Sequence, residues 1–373
     1  MNIRKALKLL IEKNGAELFV SVGYPPSLKV NNKIIPIMSN PLNSQEVTSI
    51  IEKVLNTEEY CRYKETKESN CALNIDDVGR FRISAFVQKG SPGMVVRHIH
   101  SHIPSMSELG MPIHLTEQIS KTKGLILLTG PAGSGKSTSM ASLLNHKNTT
   151  SSGHIIIIED PVEFIHNHKK CMVTQRDVGL DTNSYEEGLA NALRQAPDIV
   201  AIGEIRSSSV MAHALACAET GHLCVATLHA NNSYQALERI IHFFPQEQRN
   251  QILMDLSLNI RAIVGQQLIE SKDGASMHPA VEIMLSSPRI SDLIKRGKID
   301  ELREAIGKSR EQGMQTFDQS LYDLHEAGKI SYEKAILHAT SSNNLRLLIK
   351  LNSGNPPDDS SNEGANSFTI SED

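Results

Sequence analysis

One stretch restricts the possible fold more than any other, the run LILLTGPAGSGKSTSM at residues 125–140. An apolar segment at 125–128 leads into a glycine-rich loop that ends in Lys136 and Ser137. Glycine lets the backbone curl so that successive N–H groups point at one anion. The spacing G-x-x-x-x-G-K-S is typical of the phosphate-binding loop between a strand and a helix. The run therefore predicts a strand, a phosphate loop and a helix that begins near Ser137, in a chain that binds a nucleoside triphosphate.

The loop also assigns tasks to single residues. Lys136 can reach the β- and γ-phosphates, and the Ser137 hydroxyl can bind Mg²⁺. The helix that follows adds the positive end of its dipole. The sequence therefore predicts ATP and Mg²⁺ as cofactors. The residues predicted to bind the nucleotide are Gly130, Pro131, Ala132, Gly133, Ser134, Gly135, Lys136, Ser137 and Thr138.

The composition argues against two kinds of partner. The 373 residues carry a formal net charge of −4 and include 4% aromatic residues and no Trp. Proteins that bind nucleic acid usually show a basic excess, and base-stacking platforms need aromatic rings. No segment approaches the roughly 18 apolar residues of a membrane span, and Lys8, Glu12 and Lys13 interrupt any signal-peptide pattern. We therefore expect a cytoplasmic protein with no nucleic-acid partner and no membrane span of its own.

The N-terminal 100 residues predict a small α/β domain. Residues 2–13 and 44–55 have helical patterns, and ELFVSVG and GRFRISAFVQ have strand patterns. PSLKVNNKIIPI predicts a hairpin that turns at Asn31 and Asn32. Residues 101–112 carry Pro, Ser and Gly, as is typical of a linker.

Residues 113–350 predict the larger domain. LILLTG, HIIIIED, DIVAIGE and HLCVATLH are short, apolar and each followed by polar or helical sequence. That pattern is typical of buried parallel strands in a doubly wound α/β core, with ligands at the carboxyl ends of the strands. Residues 280–350 predict mostly helix. The acidic tail, 351–373, has few apolar residues and is predicted to be disordered.

Polar side chains follow three of these strands. In IIIIEDPVEFIH a carboxylate could orient and deprotonate water. APDIVAIGEIR ends in an acid that could hold Mg²⁺ directly or through water. Two histidines bracket the strand of GHLCVATLHANN, and an imidazole there could sense the γ-phosphate. The residues concerned are Glu159, Asp160, Glu163, Glu204, His222 and His229.

Taken together, the motifs resemble one family. GPAGSGKST, EDPVEF, RQAPDIVAIGEIR and ETGHLCVATLHANN resemble the Walker A motif, Asp box, Walker B motif and His box of the secretion ATPases, the hexameric motors of type II secretion and type IV pili. The resemblance runs from about residue 1 to residue 350. It implies a two-domain P-loop ATPase of RecA-like fold, with a PAS-like N-terminal α/β domain, a helical C-terminal part and assembly into a homo-hexamer.

Within the family the chain resembles the pilus retraction ATPases of the PilT/PilU group. The short N-terminal region and the segment GMQTFDQSLYDLHEAGKISYEKAI are similar to that group, and the four-cysteine zinc insert usual in assembly and type II secretion ATPases is absent. RISDLIKRG stands where the PilT type usually has AIRNLIR, which favours the accessory PilU type. Ala16 and Glu17 replace the usual Ser-Asp. A PilT-type motor, or a type II secretion or pilus assembly ATPase, stays an alternative.

The resemblance implies a role for each site residue. Glu163 is the base for water, Glu204 acts through the metal, and Glu159 and Asp160 support the metal site together with Ser137. His222 and His229 couple the γ-phosphate to the next element. The arginines of the N-terminal domain that reach a nucleotide in the ring are Arg82 and Arg97, with Arg80 as a competitor.

The same resemblance implies the partners. They are an inner-membrane platform protein of the pilus machine, at which the motor would dock peripherally, and a paralogous retraction ATPase. Three other classes stay open on the residues alone: a small-molecule kinase, a nucleic-acid translocase and a nonhydrolysing partner of another ATPase. Hydrolysis without an added acceptor would exclude the kinase, and stimulation by nucleic acid would favour the translocase.

Overall fold

The structure is a computed structural model that describes residues 1–30, 33–99 and 102–353. The N-terminal region contains three helices and six strands. Their bounds are α1 Ile3–Glu12, β1 Glu17–Ser21, β2 Ser27–Val30, β3 Lys33–Pro36, α2 Ser44–Val54, α3 Thr57–Thr66, β4 Glu68–Ile75, β5 Gly79–Gln88 and β6 Ser91–Ile99.

The middle and the C-terminal part alternate strands and helices and then become mainly helical. The middle elements are α4 Leu115–Ile119, β7 Gly124–Thr129, α5 Lys136–Thr150, β8 Gly153–Glu159, β9 Cys171–Asp177, α6 Tyr185–Ala192, β10 Ile199–Ile202, α7 Ser208–Glu219 and β11 Leu223–Leu228. The C-terminal elements are α8 Ser233–His242, α9 Arg249–Asn259, β12 Ile260–Glu270, β13 Met277–Leu285, α10 Pro288–Lys295, α11 Leu302–Gly307, α12 Phe317–Glu326, α13 Tyr332–His338 and α14 Ser342–Ser353.

The chain forms two compact units. The first contains Met1–Ser105, Ile119–Gly124 and Ser137–Thr227, and the second contains Met106–Gln118, Leu125–Lys136 and the chain from Leu228 onward. None of the helices in the described ranges is long and apolar enough to cross a lipid bilayer.

The N-terminal sheet of the first unit is antiparallel, in the order β3-β2-β1-β6-β5-β4. Its buried face packs in one core with α1 and α2, through side chains such as Leu7, Ile51 and Phe81. Burial alternates along β5, so Phe81 and Ile83 are in this core while Arg82 lies on the opposite face. The alternation thereby presents a polar face away from the N-terminal core.

The first unit also contains four parallel strands in the order β11-β10-β8-β9. The middle strands β8 and β10 are buried on both faces, which explains their continuous apolar sequences. Parallel strands end at one common edge. Glu159 closes β8, Asp177 closes β9, and Glu204 follows β10, so three carboxylates meet at that edge.

In the second unit, β12 pairs in parallel with β7 and antiparallel with β13. Residues 280–350 are mostly helical as predicted, except at their start, where β13 extends to Leu285 and completes this hairpin. The C-terminal helices pack Phe317, Leu345 and Ile349 against the hairpin residue Ile269.

Several predicted elements are confirmed, with boundaries that differ by one or two residues. The helices predicted at 2–13 and 44–55 are α1 and α2, and GRFRISAFVQ is β5. The hairpin is confirmed by the pairing of β2 with β3, although Asn31 and Asn32 lie outside the described residues. The predicted tail begins in helix, since α14 continues to Ser353, and residues 354–373 lie outside the described part of the chain.

Asp318 gives a prediction about the C-terminal helices. Its carboxylate, 11% exposed, accepts hydrogen bonds from Arg303 Nη2 at 2.5 Å, Thr340 N at 2.7 Å and Ser341 N at 3.2 Å. Asp318→Ala leaves a guanidinium and two N–H groups without their acceptor and should cost about 2–4 kcal/mol of unfolding free energy in urea. The control Asp323→Ala breaks an exposed pair with Arg310 and should cost less than about 1 kcal/mol. Equal losses in the two variants would contradict the role of Asp318.

Candidate active site

The glycine-rich loop connects β7 to α5 in a conformation that requires glycine. Gly130 has φ +154° and Gly135 has φ +87°. A Cβ at Gly130 would collide with the Gln266 carbonyl oxygen and with Ser134 Oγ, and a Cβ at Gly135 would lie 2.8 Å from Gln266 Nε2. The two glycines therefore let the loop curl tightly against β12, which confirms the predicted strand, loop and helix.

Lys136 lies at the first position of α5 and is buried. Its ammonium donates to the carbonyl oxygens of Gly130 at 3.0 Å and Pro131 at 2.7 Å. Within the described residues, Ser134 Oγ and Thr129 Oγ1 are buried and have no hydrogen-bond partner. A loop that combines a buried ammonium, an unsatisfied hydroxyl and the start of a helix fits a phosphate group.

Among the carboxylates at the carboxyl ends of the parallel strands, Glu159 has the most strongly shifted pKa. Burial above all, and then the charges of Glu163 and Asp177, raise its pKa to about 8. The backbone N–H of Glu163 donates to the Glu159 carboxyl group, and the Glu163 side chain itself is exposed. Burial also raises the pKa of Asp177, against the opposing charges of Arg82 and Arg80. Glu159 therefore keeps its proton at neutral pH in the nucleotide-free chain.

Glu204 is held by the arginine two residues later. Arg206 Nη2 and Nε lie 2.7 and 2.9 Å from Glu204 Oε2, and Arg206 Nη1 lies 3.8 Å from Asp160 Oδ2. The Thr227 hydroxyl donates a short hydrogen bond to the Gly203 carbonyl, and the backbone N–H of the residue after Glu204 donates to the Thr227 carbonyl at 2.9 Å. The segment after β10 is thus fixed by β11, and Glu204 and Asp160 share one guanidinium.

A cavity of about 340 Å³ in the first unit collects several of the predicted residues. Arg82 and Arg97 from the N-terminal sheet line it together with Glu163 and with Thr138 in the first turn of α5. Arg80 is not among its lining residues. Two of the three candidate arginines therefore face the proposed base within a single chain.

The two histidines lie at opposite ends of β11. His222 precedes the strand, where its Nδ1 lies 3.0 Å from Thr220 Oγ1, whereas His229 directly follows the last strand residue. A six-residue strand is about 20 Å long. The structure therefore does not bring His222 to the edge that carries Glu204, and the pairing of the two histidines at one γ-phosphate stays a prediction.

Comparison with known proteins decides the family. Residues 11–325 match the family described as Type II/IV secretion system protein. The chain belongs to this family. It is 49% identical over 358 residues to the Type IV pilus ATPase PilU of Pseudomonas aeruginosa, covering 96% of this chain and 94% of that protein. It is 37% identical over 335 residues to the Type IV pilus retractation ATPase PilT of the same organism, covering 90% of this chain and 97% of that protein.

A solved structure agrees with these relatives. The crystal structure of the pilus retraction motor PilT with bound ADP is similar to this chain with a TM-score of 0.86 at 33% identity, covering 92% of this chain and 98% of that chain. The α/β ATPase fold is thereby confirmed, as is membership of the PilT/PilU group, with PilU as the more similar of the two relatives.

Three residues near the acidic edge, which the sequence analysis did not identify, are seen in the structure. Asp177 and Tyr185 lie near the acidic edge, and burial is the main cause that raises the pKa of each. Arg206 bridges two predicted acids. Only Arg206 had a sequence signal, since a basic residue two positions after an acid on an extended segment lies on the same side of it.

The raised pKa of Glu159 predicts how stability depends on pH. The folded chain keeps the Glu159 proton up to about pH 8, whereas the unfolded chain loses it near the ordinary value of 4.5. Stability should therefore fall as the pH rises through this window, by up to about 1.4 kcal/mol per pH unit. Glu159→Gln removes this cost, so its unfolding free energy in urea should change less steeply between pH 5.5 and pH 8 than that of the wild type.

The control for this measurement is Glu52→Gln, which changes an exposed carboxylate on α2 and should keep the wild-type pH slope. Identical slopes for Glu159→Gln and the wild type would show that Glu159 is already ionised at neutral pH. Both measurements use the nucleotide-free protein.

Proposed function

We propose that this chain hydrolyses ATP to drive type IV pilus retraction, as a motor of the accessory PilU type. The observation that carries the proposal is the cavity that joins Glu163 and the first turn of α5 to Arg82 and Arg97. A base, the phosphate-binding helix and two guanidinium groups around one space are the parts that hydrolysis of a phosphoanhydride requires. The names of the relatives, PilU and PilT, support the role in pilus retraction.

The phosphate loop would hold the nucleotide. The backbone N–H groups of 132–138 and the Lys136 ammonium would bind the β- and γ-phosphates, once Lys136 exchanges the loop carbonyls for phosphate oxygens. Ser137 and Glu204 would hold Mg²⁺, with Glu159 and Asp160 as supporting acids. The ion supplies charge neutralisation between the β- and γ-phosphates.

Glu163 is the proposed general base. Its side chain is exposed to the cavity and its own N–H is anchored on Glu159, so the carboxylate can accept a proton from water. Arg82 and Arg97 would stabilise the charge that develops on the transferred phosphate, an effect worth roughly 10³–10⁵ in rate for arginine fingers generally. His229 would sense the γ-phosphate, whereas His222 lies at the other end of β11.

The finer architecture is also a proposal. The order β2-β1-β6-β5-β4 of the antiparallel N-terminal sheet supports a PAS-like domain at 1–100. A linker at 101–112, a RecA-like ATPase domain with C-terminal helices at 113–350 and an acidic tail at 351–373 complete the proposed division. The motor would assemble into a homo-hexamer and dock peripherally, from the cytoplasm, on an inner-membrane platform protein, alongside a paralogous retraction ATPase.

Two substitutions test the hydrolytic site. Lys136→Ala should abolish ATP turnover, because the loop then lacks its cation. Glu163→Gln should keep nucleotide binding and lower kcat by about 10²–10⁴, the usual contribution of a general base. The measurements are phosphate release and equilibrium binding of a fluorescent ATP analogue.

The matched controls are Lys53→Ala and Glu52→Gln, which change exposed residues of α2 and should leave both quantities unchanged. Turnover at the wild-type rate in Lys136→Ala would refute the phosphate-loop assignment. In cells, the Lys136→Ala chain should fail to restore the pilus retraction that the wild-type chain supports in a strain lacking this protein.

The proposed ring predicts that activity depends on protein concentration. Specific ATPase activity should rise with concentration until hexamers form, as followed by light scattering of the same samples.

Mixing Glu163→Gln with Arg82→Ala subunits then shows which chain supplies the arginine. Recovered activity places Arg82 in the site of a neighbouring subunit, and no recovery places it in the site of its own chain. Constant specific activity from a monodisperse monomer would contradict the ring.

A further inference from the structure

A row of four charged side chains crosses the N-terminal sheet. Lys29 on β2 is opposite Glu17 on β1, Glu17 is opposite Arg97 on β6, and Arg97 is opposite Arg82 on β5. Residues directly opposite one another in antiparallel strands point to the same face, with Cβ atoms about 4.5–5.5 Å apart. All four line the cavity that also contains Glu163.

Glu17 is the one acid of this row. Its carboxylate is 13% exposed, and it accepts a hydrogen bond from Arg97 Nη2 at 2.6 Å and one from Lys29 Nζ at 3.4 Å. The hydrogen bond from Arg97 lowers the pKa of Glu17 despite the partial burial that opposes it, so the carboxylate is ionised at neutral pH. Glu17 thus binds Arg97 with a short, charge-assisted contact.

The row contains three cations and one acid. Arg82 and Arg97 are directly opposite each other, an arrangement that is destabilising for like charges in a sheet. Arg82 forms no ion pair with any residue of the described ranges, and Arg97 uses one terminal nitrogen on Glu17. Because a guanidinium has five donors, Arg97 keeps most of them for a ligand while Glu17 fixes its orientation.

We propose that Glu17 is a positioning residue, which holds the Arg97 guanidinium towards the cavity so that it meets the negative charge developing on the transferred phosphate. This inference rests on the proposed ATPase function. Glu17 would act through Arg97, to which its carboxylate is hydrogen-bonded, rather than on the nucleotide itself. Loss of this positioning should lower kcat and leave substrate affinity unchanged, because the negative charge that Arg97 stabilises develops only as the transition state forms.

The first test is a cycle of single and double variants. Glu17→Gln should lower kcat about ten- to a hundredfold with little change in KM, the cost expected when a catalytic group is displaced by about 1 Å. Glu17→Asp keeps the charge and should recover most of kcat. In the Arg97→Ala background, adding Glu17→Gln should cause no further loss, because Glu17 has no guanidinium left to position.

A second readout does not require turnover. Binding of ADP with Mg²⁺ and aluminium fluoride, which imitates the transferred phosphate, should weaken about tenfold in Glu17→Gln, while binding of ADP alone stays as in the wild type. The matched control is Glu12→Gln, an exposed carboxylate on α1, which should change neither quantity.

The outcomes distinguish the positioning role of Glu17 from the proposed ATPase function. Unchanged kcat and unchanged fluoride-complex binding in Glu17→Gln would overturn the role of Glu17 while leaving the ATPase intact. An equal loss from Glu17→Gln with and without Arg97 would also overturn it, since the effect would then be general destabilisation. A wild-type chain that binds no ADP would instead refute the proposed function, and the positioning role with it.

Discussion

The burial of carboxylates at one edge of the parallel strands is the constraint on which the site depends. Glu159 and Asp177 end adjacent strands in direct register, both are buried, and burial raises the pKa of each. The fold tolerates this arrangement by fixing Glu204 and Asp160 on Arg206 and by placing the charge of Arg82 near Asp177. A cation bound at this edge would favour the ionised form of these carboxylates, which agrees with the proposed use of Mg²⁺.

The sequence predicted the elements whose signals are local. The phosphate loop was recognisable because glycine spacing, lysine and hydroxyl occur within nine residues, and the structure shows why Gly130 and Gly135 tolerate no side chain. The buried strands β8 and β10 were recognisable because strands covered on both faces are continuously apolar. In β5, the alternation of GRFRISAFVQ predicted the strand, and the structure shows Phe81 and Arg82 on its opposite faces.

The features that sequence reasoning missed depend on contacts between distant segments. β13 was assigned to a helical region because a short apolar run does not distinguish strand from helix without its partner β12. Glu17 and Arg97 are 80 residues apart, and only the pairing of β1 with β6 makes them neighbours. His222 was grouped with His229 because both border one strand, although the strand separates them.

The central claim is that guanidinium groups of the N-terminal sheet stabilise the γ-phosphate of a bound ATP. The most direct measurement is a crystal structure of the Glu163→Gln protein with ATP and Mg²⁺, in which slow turnover should trap the substrate. The account predicts γ-phosphate oxygens within about 3.5 Å of Lys136 Nζ and of an Arg82 or Arg97 nitrogen, with Arg97 still bound to Glu17. A γ-phosphate bound by the loop with both arginines beyond hydrogen-bonding reach would contradict it.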